Sequence, residues 1–173
     1  RMATRPVLVV RDNGGGMNRQ SLHRMMSFGA SGACGHGRIG RYGNGFKSSS
    51  MRLGADALVL SVDRETHGYV AGLLSYTYLR ETSALEVVVP IVEWDAKGRP
   101  VAAEAQSGSV AARQRAKVLE TLLTWSPGWD EARLLAELRK LPSSGGTAIH
   151  VYNLWETETG DLELDFFTDT KDV

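Results

Sequence analysis

The sequence holds a single cysteine, Cys34, among 173 residues. That excludes an internal disulfide and a cysteine-based zinc site, and it fits a reducing compartment. No apolar run is long enough to span a bilayer. The opening "RMATRPVLVV" lacks the apolar core and cleavage site of a signal peptide. Lys and Arg total 20 and so do Asp and Glu, so bulk charge gives no argument for nucleic acid or a membrane surface. The four histidines, His23, His36, His67 and His150, are scattered and match no zinc spacing. No Ser-His-Asp arrangement can be argued. What remains is an ordinary globular mixture, 42% hydrophobic and 23% charged, of a size for one domain or one domain plus the start of another.

Glycine is plentiful, 19 residues in all, and seven of them fall in "GASGACGHGRIGRYGNG", residues 29–45. So little side chain cannot build a core, and the stretch reads as a long functional loop. Around it the apolar pattern predicts a buried strand over Pro6–Val10. A helix follows, capped by Asn18, with Leu22, Met25 and Met26 on one face and Gly29 at its end. A short helix is predicted over Phe46–Gly54, then strands over Asp56–Val62, Tyr69–Leu79 and Glu86–Trp94. Two helices are expected over 107–125 and 129–141, with Asp130 or Ser126 as a cap. Strands over Thr147–Trp155 and Leu162–Phe167 complete the reading. Strands and helices mix without strict alternation, so the expected class is α+β, with helices on one face of a mixed sheet.

Three short motifs carry chemistry. "DNGGG" is D-x-G-x-G at Asp12, Gly14 and Gly16. Alone it is most often a plain turn, but an Asp at the end of a buried strand can accept a hydrogen bond from an exocyclic amine, with glycines beside it exposing bare backbone. "GRIGRYGNGFK" is not a P-loop, because its lysine arrives one place late at Lys47. "GHGRIG" formally fits G-x-G-x-x-G without a preceding strand, an accidental match. The stretch reads better as a glycine-rich lid whose N–H groups at Gly43, Asn44 and Gly45 lead into a helix N-terminus, where phosphate is favoured. Lys47 adds charge there, or is simply solvated. "GGTAIHV" places the Thr147 hydroxyl at the head of a strand.

The fixed order of the three motifs resembles the GHKL ATPases: gyrase-type topoisomerases, MutL-type mismatch-repair proteins, histidine kinases and the Hsp-ninety chaperones. The words "DNGGGM", "MMSFGAS", "YGNGFKSSSMRLG" and "VYNLW" look like the microrchidia (MORC) family, in its plant-type form, and the likeness covers nearly the whole chain. "YNLW" and "SMRLG" argue against a mismatch-repair branch.

The resemblance implies a Bergerat-type two-layer α/β sandwich that binds ATP with Mg2+. It implies heads that dimerise with ATP, as homodimer or heterodimer, and proteins that act on chromatin in the nucleus, in gene silencing and DNA compaction. Carried over by motif, Asp12 reads adenine, Gly14, Gly16 and Met17 shape the base pocket, and Thr147 assists. Phe28, Gly29 and Ser31 continue the pocket. Gly40, Tyr42, Gly43, Asn44, Gly45, Phe46 and Lys47 form the lid and phosphate cradle.

Residues 1–146 are expected to be a partial ATPase domain, and 147–173 its end and the start of a transducer-like domain. Family members carry E-x-x-x-N on a helix upstream of D-x-G-x-G, its Glu activating water and its Asn holding magnesium. Asp12 is the first acidic residue here, so an N-terminally truncated head is expected, with no catalytic or metal residue assigned within the chain. A lysine usual after the "FG-S" segment is also missing. The alternative expectation is a protein-interaction module without catalysis.

Overall fold

The computed structural model describes residues 6–27, 45–84, 87–101 and 109–165. The elements run β1 (Leu8–Asp12), α1 (Arg19–Met26), α2 (Gly45–Leu53), β2 (Gly54–Val62), β3 (Tyr69–Ser75), α3 (Tyr76–Glu81), β4 (Ile91–Trp94), α4 (Val110–Thr124), α5 (Glu131–Leu138) and β5 (Gly146–Leu154). They build one five-stranded sheet in the order β1-β5-β2-β3-β4. Among the described residues every pairing is antiparallel.

The α+β class, helices layered on a sheet, stands; among the described residues the single helical layer and the mixed strand pairing do not. The sheet is antiparallel rather than mixed, and helices cover both of its faces rather than one. The cause is legible in β2, where all nine residues are buried. Leu58, Leu60 and Val62 pack with Leu122 of α4 and Leu134 and Leu138 of α5. Val59, pointing the other way, packs with Leu22 and Met26 of α1 and with Phe46 of α2. A strand buried at every position, with large apolar side chains on successive residues Leu58–Leu60, reports two covered faces, where alternation would report one. Each large side chain buried this way contributes about 1.5–3 kcal/mol.

β1 is not the buried strand expected. Among the described strands it is the edge of the sheet, paired with β5 alone, and Val9 and Val10 stay 40% and 53% exposed. β3 ends earlier than expected because Ser75 turns the chain. Its hydroxyl caps α3 by accepting from the Tyr78 N–H at 2.9 Å and itself donates to buried Asp56 Oδ1 at 2.5 Å. The Thr77 hydroxyl and the Asn153 amide donate to Asp56 Oδ2 at 2.7 and 2.5 Å. Tyr76–Leu79, expected as strand, is therefore helix. Likewise β4 starts only at Ile91. Of the expected strand Leu162–Phe167, the described residues make only an isolated bridge, Glu156 with Leu162. Asn18 and Asp130 cap α1 and α5, accepting from the Ser21 and Arg133 N–H groups at 3.0 and 2.7 Å.

Candidate functional site

Strand register assembles a polar row. Asp12 on β1 faces Thr147 on β5, and Thr147 faces Ser61 on β2. All three project from the face that α1 and α2 cover, since Val59 and Ile149, two residues along, pack with those helices. The next row on that face is Val10, Ile149 and Val59. A carboxylate and two hydroxyls thus border an apolar floor. Its Val10 end is open.

The glycines frame this row. The Gly14 N–H donates to Asp12 Oδ1 at 2.8 Å, closing the turn and fixing the carboxylate. Gly16 has φ +65°, and a β-carbon there would fall 1.7 Å from the Val62 carbonyl oxygen. Only glycine fits. Opposite lies Gly145, with φ +111°, where a β-carbon would sit 2.7 Å from the Gly14 and Gly15 carbonyls. The two glycine stretches therefore pack backbone to backbone. Arg64 ties them together: its N–H donates to the Gly15 carbonyl at 2.9 Å and its Nε to the Ser144 carbonyl at 3.2 Å.

Ser61 is the hub beneath. Its hydroxyl accepts the Met17 N–H at 2.9 Å, donates to the Gly146 carbonyl at 2.9 Å and lies 3.1 Å from Thr147 Oγ1. Asp12, Gly14, Gly16, Met17 and Thr147 are thus brought together. Gly45, Phe46 and Lys47 form the first turn of α2 on the same side of the sheet. Lys47 is not the solvated lysine that one reading allowed. It is 4% exposed, and its ammonium donates to the Ser27 carbonyl at the end of α1, at 2.6 Å. Phe28, Gly29, Ser31, Gly40, Tyr42, Gly43 and Asn44 lie outside the described residues.

Sequence reasoning missed Ser61, Gly145 and the apolar floor. Ser61 had a signal: a lone hydroxyl after the apolar run Ala57–Leu60 of β2. Gly145 had one in "SSGGT". Among the described residues, no group of three or more His, Cys, Asp or Glu is placed to hold a metal.

The other face of the same strands carries a cavity of about 720 Å³ lined by Val7, Val9, Trp129, His150 and Tyr152, with Arg11 and Glu137 beside them. Burial there lowers the His150 imidazole to about 4; the Glu137 carboxylate opposes that shift, and Arg11 and Arg133 reinforce it. This face lacks the carboxylate-and-hydroxyl row, so it is not the candidate site.

An antiparallel sheet bearing an Asp-led glycine turn beside a strand-borne Thr defines a class. The chain belongs to the histidine kinase-, DNA gyrase B- and HSP90-like ATPase family, whose model matches residues 2–102. Within that class it is a microrchidia-type head. Protein MICRORCHIDIA 5 of Arabidopsis thaliana is 41% identical over 96% of this chain and 24% of its own length. Protein MICRORCHIDIA 3 of the same plant is 42% identical over 97% of the chain and 28% of its length. The MORC family CW-type zinc finger protein 3 of Mus musculus is 39% identical over 96% of the chain and 17% of its length. The chain thus spans about a quarter of the plant relatives it matches.

Proposed function

We propose that this chain is an ATP-binding head whose nucleotide-driven dimerisation, with itself or a related head, acts on chromatin in the nucleus, in gene silencing and DNA compaction. The observation that carries the nucleotide reading is Asp12 beside Thr147 at the end of the surface Val10–Ile149, with Ser61 and Val59 buried behind them. Acceptors at one end and an apolar surface behind them suit a flat base with an amino edge. Asp12 Oδ1 is engaged by Gly14, so its second oxygen is the one that meets the base amine. Gly14, Gly16 and Met17 hold the turn that forms the wall. The first turn of α2 offers N–H groups and a favourable dipole to phosphate. Lys47, held against the Ser27 carbonyl at the end of α1, places a positive charge in that first turn, which favours phosphate electrostatically. Nucleotide held between Asp12 and the first turn of α2 would draw two heads together, and Mg2+, where bound, would neutralise the phosphate charge. The nuclear and chromatin part of the reading draws its support from the likeness to microrchidia proteins.

Sedimentation velocity of the intact protein, with and without a non-hydrolysable ATP analogue and magnesium, tests the switch. A shift from monomer to dimer on adding nucleotide is the expected result. An unchanged sedimentation coefficient at saturating nucleotide contradicts it.

A further inference from the structure

Ser61 is 0% exposed, so it touches no ligand, yet its hydroxyl controls what the site presents. A serine hydroxyl has one proton to give and two lone pairs to accept with. Three groups meet Ser61 Oγ: the Met17 N–H at 2.9 Å, the Gly146 carbonyl at 2.9 Å and Thr147 Oγ1 at 3.1 Å. Met17 can only donate and the carbonyl can only accept. The single Ser61 proton therefore goes to Gly146. For the third contact to be a hydrogen bond, the Thr147 hydroxyl must donate to Ser61. Its proton is then spent on the protein, and Thr147 has only lone pairs left for a ligand.

From this we infer that Ser61 is a positioning residue that fixes Thr147 as an obligate hydrogen-bond acceptor, and so sets the site's preference for an amino over a carbonyl substituent on the base. The inference rests on the nucleotide reading above and deepens it. Asp12 and Thr147 are direct cross-strand partners on one face, close enough to share one group. A 6-amino group has two N–H protons, one for each acceptor. A 6-carbonyl has none, and it would face two oxygen acceptors. Ser61 also holds the Met17 N–H, so the same hydroxyl that orients Thr147 anchors the end of the glycine turn carrying Asp12.

The test is titration calorimetry of the intact protein with non-hydrolysable ATP and ITP analogues, which differ only at the purine. The wild type is expected to prefer the adenine analogue. Ser61→Ala frees the Thr147 hydroxyl to rotate and donate, so the preference should narrow by about tenfold, the worth of one hydrogen bond. Ser61→Cys, close in volume with a weak S–H donor, should narrow it partly and keeps the test open if Ser61→Ala fails to fold. In a Thr147→Val background, Ser61→Ala should leave the preference unchanged. If Ser61→Ala or Ser61→Cys weakens both analogues equally, Ser61 is only a packing residue and the inference falls while the nucleotide reading stands. If the folded wild type binds neither analogue, the nucleotide reading falls and takes this inference with it.

Discussion

At the residue scale, the three glycines after Asp12 do different work. The D-x-G-x-G pattern marks Gly14 and Gly16 alike, but the structure separates them. Gly16→Ala drives a methyl into the Val62 carbonyl from a left-handed backbone, and such strain costs about 1–3 kcal/mol before the clash is counted. A loss of about 3 kcal/mol or more is expected in denaturant unfolding. At Gly14 the added carbon would meet the Asp12 carboxyl side chain, with Oδ1 at 3.0 Å, so Gly14→Ala should cost less than about 1 kcal/mol.

His150 gives a second residue-scale expectation. Its imidazole is lowered to about 4 in the fold, first by burial, against an ordinary value near 6.5. The unfolded chain therefore binds this proton first. Stability is full above about pH 6.5 and falls as the pH drops toward 4. Melting temperatures between pH 7 and 5 should decline, and His150→Gln should flatten that decline. An equal slope in the variant would contradict the assignment.

At the element scale, α2 is held at both ends. Lys47 fastens its first turn to the end of α1. At the other end the Trp155 indole N–H donates to the Met51 carbonyl at 2.7 Å, the Trp155 backbone N–H donates to the Leu53 carbonyl at 3.2 Å, and Arg52 pairs with Glu163. The helix α2 is thus latched to the segment that follows β5. Trp155→Phe removes one of these bonds, worth about 1 kcal/mol, and should speed amide exchange in α2 while leaving α5 unchanged. Equal protection in both helices would show that the latch is unimportant.

Much of this scale was legible in the sequence. Asn18 and Asp130 announce their helices because a cap needs only local chemistry. The break of β3 at Ser75 was not legible. It depends on Asp56 and Asn153, which stand 19 and 97 residues away from their partners Ser75 and Asp56. Leu162–Phe167 reads as a strand by alternation, yet its described residues, to Asp165, make only one bridge, because alternation alone supplies no neighbouring edge to pair with.

At the scale of the whole molecule, the sheet order is what makes the site. β5, late in the chain, inserts between β1 and β2, and this brings Thr147 beside Asp12 across 135 residues of sequence. Motif order alone hinted that Asp12 and Thr147 belong together. It had no access to Ser61, because nothing local connects a serine in β2 to a glycine turn before α1. The antiparallel order also leaves β1 as an open edge with Val7, Val9 and Val10 exposed. Val10 lies on the side of the polar row. The apolar floor and the sheet edge therefore meet at Val10.

The measurement that tests the central claim most directly is calorimetric titration of the intact protein with a non-hydrolysable ATP analogue and magnesium, beside Asp12→Ala. Wild-type binding should weaken by about 10–100-fold in Asp12→Ala, the worth of a hydrogen bond to a carboxylate, with thermal stability little changed. Equal affinity in a folded Asp12→Ala protein would mean that the base is not read at the end of β1.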